Sequence, residues 1–146
     1  MVRIDHLGVA VRDLQQARLF YELLGMTIGE EETIEHEQVR TVMISGGESR
    51  IELLEPISEE SVISRFLDRR GEGLHHLALN VDDISDVFSE MKASGMRLVS
   101  DELNIGAGGQ LYFFVHPSST GGVLVEICQS AEILETETVE TAGAVI

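Results

Sequence analysis

Asp5-His6-Leu7-Gly8-Val9-Ala10-Val11-Arg12-Asp13-Leu14 lies over His75-His76-Leu77-Ala78-Leu79-Asn80-Val81-Asp82-Asp83-Ile84 at an offset of 70 residues. Histidine, valine and aspartate fall in register, and the same offset carries Gly25-Met26 onto Gly95-Met96. Further along, Arg50-Ile51-Glu52-Leu53-Leu54 resembles Leu124-Val125-Glu126-Ile127-Cys128, now at an offset of 74. The extra residues sit in the stretch His116 to Gly122, against the shorter Ser45 to Glu48. A chain that matches itself at a fixed offset is built from a repeated unit, so its two halves are expected to fold alike.

Each half opens on an alternating strand. Leu7, Val9 and Val11 point to one face, which reads as core, while Ile4, His6, Gly8 and Ala10 point to the other. Asp13 then caps a helix through about Leu24, with Ala17, Phe20 and Leu24 at helical spacing and Gly25 as its stop. Asp83, Ile84, Val87, Phe88, Met91 and Gly95 repeat that pattern. The remainder of each half is β-rich, with strands expected at 26–30, 39–44 and 49–54, then at 97–100, 111–115 and 123–128. Each half reads βαβββ. A third helix over Ser58 to about Arg70, with Val62, Ile63, Phe66 and Leu67 on one stripe, joins them. The expected fold class is α+β, two tandem βαβββ modules forming one curved mixed sheet around a metal-binding cleft. Residues 1–130 read as a single domain: repeat 1 at about 2–56, a linker helix at 57–71 and repeat 2 at about 72–130. Residues 131–146 read as an acidic C-terminal tail without a clear period.

Strand parity selects the polar residues that belong together. His6 faces away from the first helix, and His76, not His75, has the same parity in its own strand. Glu52 alternates with Ile51 and Leu53, and Glu126 with Val125 and Ile127. A carboxylate in so apolar a strand is costly to bury unless it is paired or bound to a metal. If a local two-fold relates the halves, His6, Glu52, His76 and Glu126 converge on one pocket. Two imidazoles and two carboxylates suit a divalent transition metal with positions left for water or substrate oxygens. His36 and His116 have no such counterpart and read as surface or turn residues, and Cys128, matched by Leu54, reads as a small apolar filler.

Composition narrows the functions. Ten lysines and arginines stand against 26 acidic residues, a formal charge of −16, which repels phosphate backbones and anionic lipid alike. No nucleic acid and no membrane is expected as a partner. No apolar run approaches the roughly 18 residues of a spanning helix, the first residues lack a signal pattern, and the single cysteine permits no internal disulfide, so a cytoplasmic location is expected.

The duplicated βαβββ plan with His, Glu, His, Glu resembles the vicinal oxygen chelate superfamily, which includes glyoxalase I, extradiol dioxygenases and bleomycin-resistance proteins. Within it the residues look most like the methylmalonyl-CoA epimerase family. The resemblance runs from Ile4 to about Gln129 and is most specific in Arg70-Gly71-Glu72-Gly73-Leu74-His75-His76, in Gly106-Ala107-Gly108-Gly109, and in His116-Pro117 through Thr120-Gly121-Gly122-Val123-Leu124-Val125-Glu126. It implies a glyoxalase-like fold and one divalent metal ion per chain (Co2+, Zn2+, Mn2+ or Ni2+), held by His6, Glu52, His76 and Glu126. It further implies methylmalonyl-CoA or a similar acyl-CoA as substrate, and a homodimer. The implied reaction interconverts the (R) and (S) epimers through C2 proton abstraction and an enolate. The family's base on one face matches Glu126; its second glutamate falls at Thr41, a departure, because a hydroxyl is no carboxylate base at neutral pH. Arg50 or Arg70 is a candidate partner for the coenzyme A phosphates. The glycines from Gly106 to Gly109 either offer backbone N–H groups near the thioester or form a simple turn. Two other readings compete: a glyoxalase I-type lactoylglutathione lyase, which uses the same ligand types, and a non-enzymatic binding protein of the bleomycin-resistance type. An extradiol dioxygenase needs three protein ligands and Fe(II), so the fourth candidate, Glu52, counts against it.

Overall fold

In the computed structural model, which describes residues 1–130, the chain runs β1 (Arg3–Ala10), α1 (Leu14–Leu23), β2 (Thr27–Ile34), β3 (Val39–Gly46), β4 (Ser49–Pro56), α2 (Val62–Arg70), β5 (Gly73–Asn80), α3 (Ile84–Ala93), β6 (Asn104–Ile105), β7 (Leu111–Val115) and β8 (Val125–Gln129). It divides into two units, Asp5–Ala78 and Met1–Ile4 with the residues from Leu79 onward.

In the unit Asp5–Ala78 the strands lie in the order β2-β3-β4-β1-β5. β1 and β4 are parallel, with Leu7 opposite Ile51 and Gly8 opposite Glu52, whereas β2–β3 and β3–β4 are antiparallel, so the arrangement is mixed. Leu14 and Ala17 of α1 pack with Val11, Val42, Ile44 and Leu53 on one face. Ile63 and Leu67 of α2 pack with Ala10, Val39 and Leu54 on the other. In the second unit β8, β7 and β6 follow in order as antiparallel neighbours, and Val81 N–H donates to Cys128 O at 2.9 Å, tying the chain just beyond β5 to β8. Its core is Val81, Ile84, Phe113, Val115 and Ile127.

The duplication persists down to single hydrogen bonds. Gln16 N–H donates to the Asp13 carboxylate at 3.1 Å, and Asp86 N–H to that of Asp83 at 3.0 Å. Both helices end at a glycine in the left-handed region, Gly25 at φ 82° and Gly95 at φ 78°. The N–H of each and that of the following methionine bond back to the last turn, Gly25 to Glu22, Met26 to Tyr21, Gly95 to Lys92 and Met96 to Met91. Val11 N–H donates to Leu54 O as Val81 does to Cys128 O. The first backbone N–H of each helix is taken by a side chain from the last β-strand of its own half: Leu14 by Glu55 at 2.7 Å, Ile84 by Gln129 at 2.9 Å.

Several expectations are corrected. No strand forms at 97–100: Leu98 makes an isolated bridge to Val115, and the strand of that region is β6. The Ser100 hydroxyl donates to Glu102 O and accepts from the Asn104 side chain, which bends the chain between the two places where it meets β7. β2 runs on to Ile34, beyond the expected Glu30, because an edge strand can pair through its backbone while Glu30, Glu31 and Glu32 face solvent. α2 starts at Val62 rather than Ser58, since the Ser61 hydroxyl takes the N–H of Ile63 and Ser58–Ser61 forms a turn; Val62 itself is exposed. On α1 the stripe packed on the core is buried Leu14 with half-buried Ala17 and Tyr21, and Phe20 and Leu24 are exposed. In β1 the face expected to be core is the less buried one: Leu7 is 37% exposed, while His6, Gly8 and Ala10 are buried, because α2 covers the sheet opposite α1. The acidic tail, 131–146, lies outside the described residues.

Candidate metal centre

Three of the four selected side chains meet in the unit Asp5–Ala78. His6 Nε2 and His76 Nε2 stand 3.3 Å apart, with the rings edge to face at 83°. Glu52 Oε1 is 3.8 Å from each nitrogen. Both histidines are buried, at 2% and 6% exposure, and Glu52 is half-buried. The pairing explains the meeting: Glu52 is opposite Gly8 on parallel β1 and opposite Met43 on β3, so its side chain shares the face of His6. Gly8 leaves the space that His76 fills. A Cβ at position 8 would stand 2.1 Å from His76 Cε1.

The ring nitrogens turned away from this point are bonded too. His6 Nδ1 is 2.7 Å from Asp5 Oδ2, and the Arg50 guanidinium donates to the same carboxylate oxygen. His76 Nδ1 is 2.9 Å from His75 Nδ1, and the His75 ring stands edge-on to Phe66 of α2 with centroids 5.0 Å apart. A carboxylate accepts, so the proton of neutral His6 is on Nδ1 and its Nε2 offers a lone pair.

The donor set fits a divalent transition metal. Two imidazole nitrogens bound at about 2.0–2.1 Å to one tetrahedral ion would stand about 3.3–3.4 Å apart, and the observed separation is 3.3 Å. Buried imidazoles with an adjoining carboxylate form a His/His/Glu group able to hold such an ion.

Glu126 is buried on β8, opposite Phe114. Thr41, 4% exposed, lies on β3 opposite Leu54 of β4 and Glu32 of β2, on the face that carries Met43 and Glu52. Arg50 is engaged with Asp5, and Arg70 lies over the Phe66 ring at 5.8 Å. His36 lies in the short 3-10 turn before β3. His116 caps the turn Pro117–Ser119, accepting from Ser118 N–H at 3.0 Å. Gly106–Gly109 includes a 3-10 turn over Ala107–Gly109. Cys128 is buried, with its sulfur 3.6 Å from Leu79 O. Sequence reading missed Asp5 and Gly8, gave His75 no part in the site, and offered Arg50 for coenzyme A phosphates, whereas it is bonded to Asp5. The available signal was the repeat itself, which puts Asp5 over His75, each directly before a selected histidine.

Comparison with known proteins agrees with this geometry. The family profile described as Glyoxalase/Bleomycin resistance protein/Dioxygenase superfamily matches residues 5–114. The mitochondrial methylmalonyl-CoA epimerase of Bos taurus is 39% identical over 130 residues, covering 88% of this chain and 74% of the relative. The ethylmalonyl-CoA/methylmalonyl-CoA epimerase of Cereibacter sphaeroides is 35% identical over 130 residues, 87% of this chain and 97% of the relative. A solved methylmalonyl-CoA epimerase in complex with methylmalonyl-CoA and NH4+ superposes with a TM-score of 0.85 at 34% identity, covering 91% of this chain and 97% of that one. A glyoxalase-like fold, a His/His/Glu group able to hold a metal, and a match over most of the chain lead to one statement: the chain belongs to the glyoxalase/bleomycin resistance protein/dioxygenase superfamily.

Proposed function

We propose that this chain is a metal-dependent epimerase that interconverts (R)- and (S)-methylmalonyl-CoA, with His6, Glu52, His76 and Glu126 as ligands of one divalent ion, Co2+, Zn2+, Mn2+ or Ni2+. The observation that carries the proposal is the meeting of His6, His76 and Glu52 at 3.3 to 3.8 Å in a chain whose relatives are methylmalonyl-CoA epimerases. Glu126 is assigned as fourth donor because its place in the second repeat matches that of Glu52 and it is a buried carboxylate in an apolar strand. When bound, the ion supplies a Lewis acid for the oxygen charge that develops as the C2 proton leaves.

The chain's own residues move that proton. Glu126 takes it on one face. Thr41 holds a water on the other face, a role supported by its burial on the face of Glu52; Glu37, half-buried in the turn before β3, is the alternative carboxylate. The Cereibacter sphaeroides relative's name widens the acyl group to short 2-alkylmalonyl thioesters. Among the described residues no helix is long and apolar enough to cross a membrane. The homodimer that the family resemblance implies is part of the proposal, with mass in solution as its test. So is a cytosolic location, in keeping with a single cysteine, Cys128.

Incubating the metal-loaded protein with one epimer of methylmalonyl-CoA in heavy water tests the reading. Deuterium is expected at C2 of substrate and product at clearly different rates, because two unlike groups serve the two faces. Absence of C2 exchange with the metal bound overturns the epimerase. Activity on a glutathione hemithioacetal instead would assign the lyase, and a metal-free protein that binds a ligand without turnover would assign the binding protein.

A further inference from the structure

We propose that the residue directly before each ligand histidine is a positioning residue for it: Asp5, braced by Arg50, orients His6, and His75 orients His76, so that both rings present Nε2 to the ion. The inference rests on the reading of His6 and His76 as metal ligands and assigns roles to residues that this reading does not use.

The geometry is paired. Asp5 and His75 occupy the same place in the repeat, and each reaches the Nδ1 of the following ring, at 2.7 Å and 2.9 Å. Consecutive residues of a strand point to opposite faces, so neither contact is what a regular strand produces. The Asp5 carboxylate accepts a proton from His6 Nδ1. The contact between His75 Nδ1 and His76 Nδ1 carries one proton; with His76 Nε2 given to the ion, that proton is on His76 Nδ1, and His75 Nδ1 accepts it. Each ligand ring is thereby held as the Nδ1–H tautomer, with its lone pair on Nε2. Such outer partners fix the tautomer and ring direction and raise the basicity of the ligand nitrogen.

The two braces differ in strength. Asp5 is a carboxylate 6% exposed at its side chain, and Arg50 holds it in place. His75 is a neutral ring steadied by Phe66. Charge-assisted hydrogen bonds are roughly twice as strong as neutral ones, so His6 is the more firmly set ligand of the two.

The test uses the full chain and Co2+ alone, without substrate. Chelator competition measures its affinity in the unaltered protein and in Asp5→Ala, Asp5→Asn, His75→Phe, His6→Ala and His76→Ala. Asp5→Ala and His75→Phe are expected to weaken Co2+ binding about 10- to 100-fold, the effect typical of an outer partner, with Asp5→Ala the larger. Asp5→Asn keeps an accepting oxygen and is expected to recover part of the loss. Nitrogen-15 spectra of the unaltered protein loaded with diamagnetic Zn2+ at about pH 8, above the ordinary histidine pKa of about 6.5, are expected to show His6 and His76 protonated at Nδ1. That readout needs no substitution and stands even if a variant does not fold. If His6→Ala and His76→Ala lose Co2+ while Asp5→Ala and His75→Phe bind it normally, the positioning roles are overturned and the ligands stand. If all four variants bind Co2+ as the unaltered protein does, the ligand reading falls as well. An Nε2–H tautomer at either ligand histidine also overturns the proposal.

Discussion

In the proposed epimerase the chemistry of the second face turns on Thr41. Inverting a carbon centre needs proton exchange on both faces of a planar enolate, and a carboxylate on one face cannot serve the other. A threonine hydroxyl neither takes nor gives a proton readily near neutral pH, so in the proposed reaction its part is to hold a water. Thr41→Val is therefore expected to slow inversion more than it slows deuterium entry into the retained epimer, whereas Glu126→Gln abolishes both. Following the two label-incorporation rates side by side checks this, and a Thr41→Val enzyme that inverts normally while Glu37→Gln does not would move the second-face role to Glu37. Strand parity made His6, Glu52 and His76 legible in the sequence, because alternation decides which face a side chain takes. It could not show Asp5 reaching His6 or His75 reaching His76, since those side chains bend round against the alternation that guided the reading.

At the scale of elements, the ends of α1 and α3 were the most legible features, and the start of α2 and several strand ends the least. Asp13 with Gly25, and Asp83 with Gly95, act locally, through hydrogen bonds spanning a few residues. The second half of β2 escaped because Glu30 to Glu32 carry no apolar alternation, and the strand expected at 97–100 is reduced to one bridge to β7 because Ser100 turns the chain. Glu55 and Gln129 escaped for a different reason: each reaches the first turn of a helix 41 or 45 residues away. Both satisfy a backbone N–H that the helix itself cannot. Gln129→Ala leaves a buried donor at Ile84 and is expected to cost about 1–3 kcal/mol. Glu55→Ala should cost a comparable amount, plus a small part from the pair that Glu55 makes with Arg40 at 3.1 Å. Urea unfolding, with the midpoint falling at unchanged slope, is the measurement for both.

For the whole molecule, chain continuity bears on how it unfolds. β1 passes from one unit to the other between Ile4 and Asp5, and β5 does so between Ala78 and Leu79, each without a break in the strand. We propose on that ground that residues 1–130 unfold as one domain. A single calorimetric transition is expected, raised by Co2+ and lowered again by chelator; at an ion concentration about 100-fold above the dissociation constant the gain is about 2.7 kcal/mol. Two transitions, only one of them sensitive to Co2+, would overturn the single domain and with it the place of Glu126 among the ligands. The charge of −16 bears on solubility and on association rates rather than on the fold. Gly8 bears on how such centres are found in other chains. It touches no ion, yet any side chain there collides with the ring of His76. A search pattern that demands the two histidines and the glutamate but leaves the eighth position open will gather proteins whose second histidine has no seat. A missense change at that one codon would read, in a genetic screen, as the loss of a proposed ligand, His76, that is still encoded.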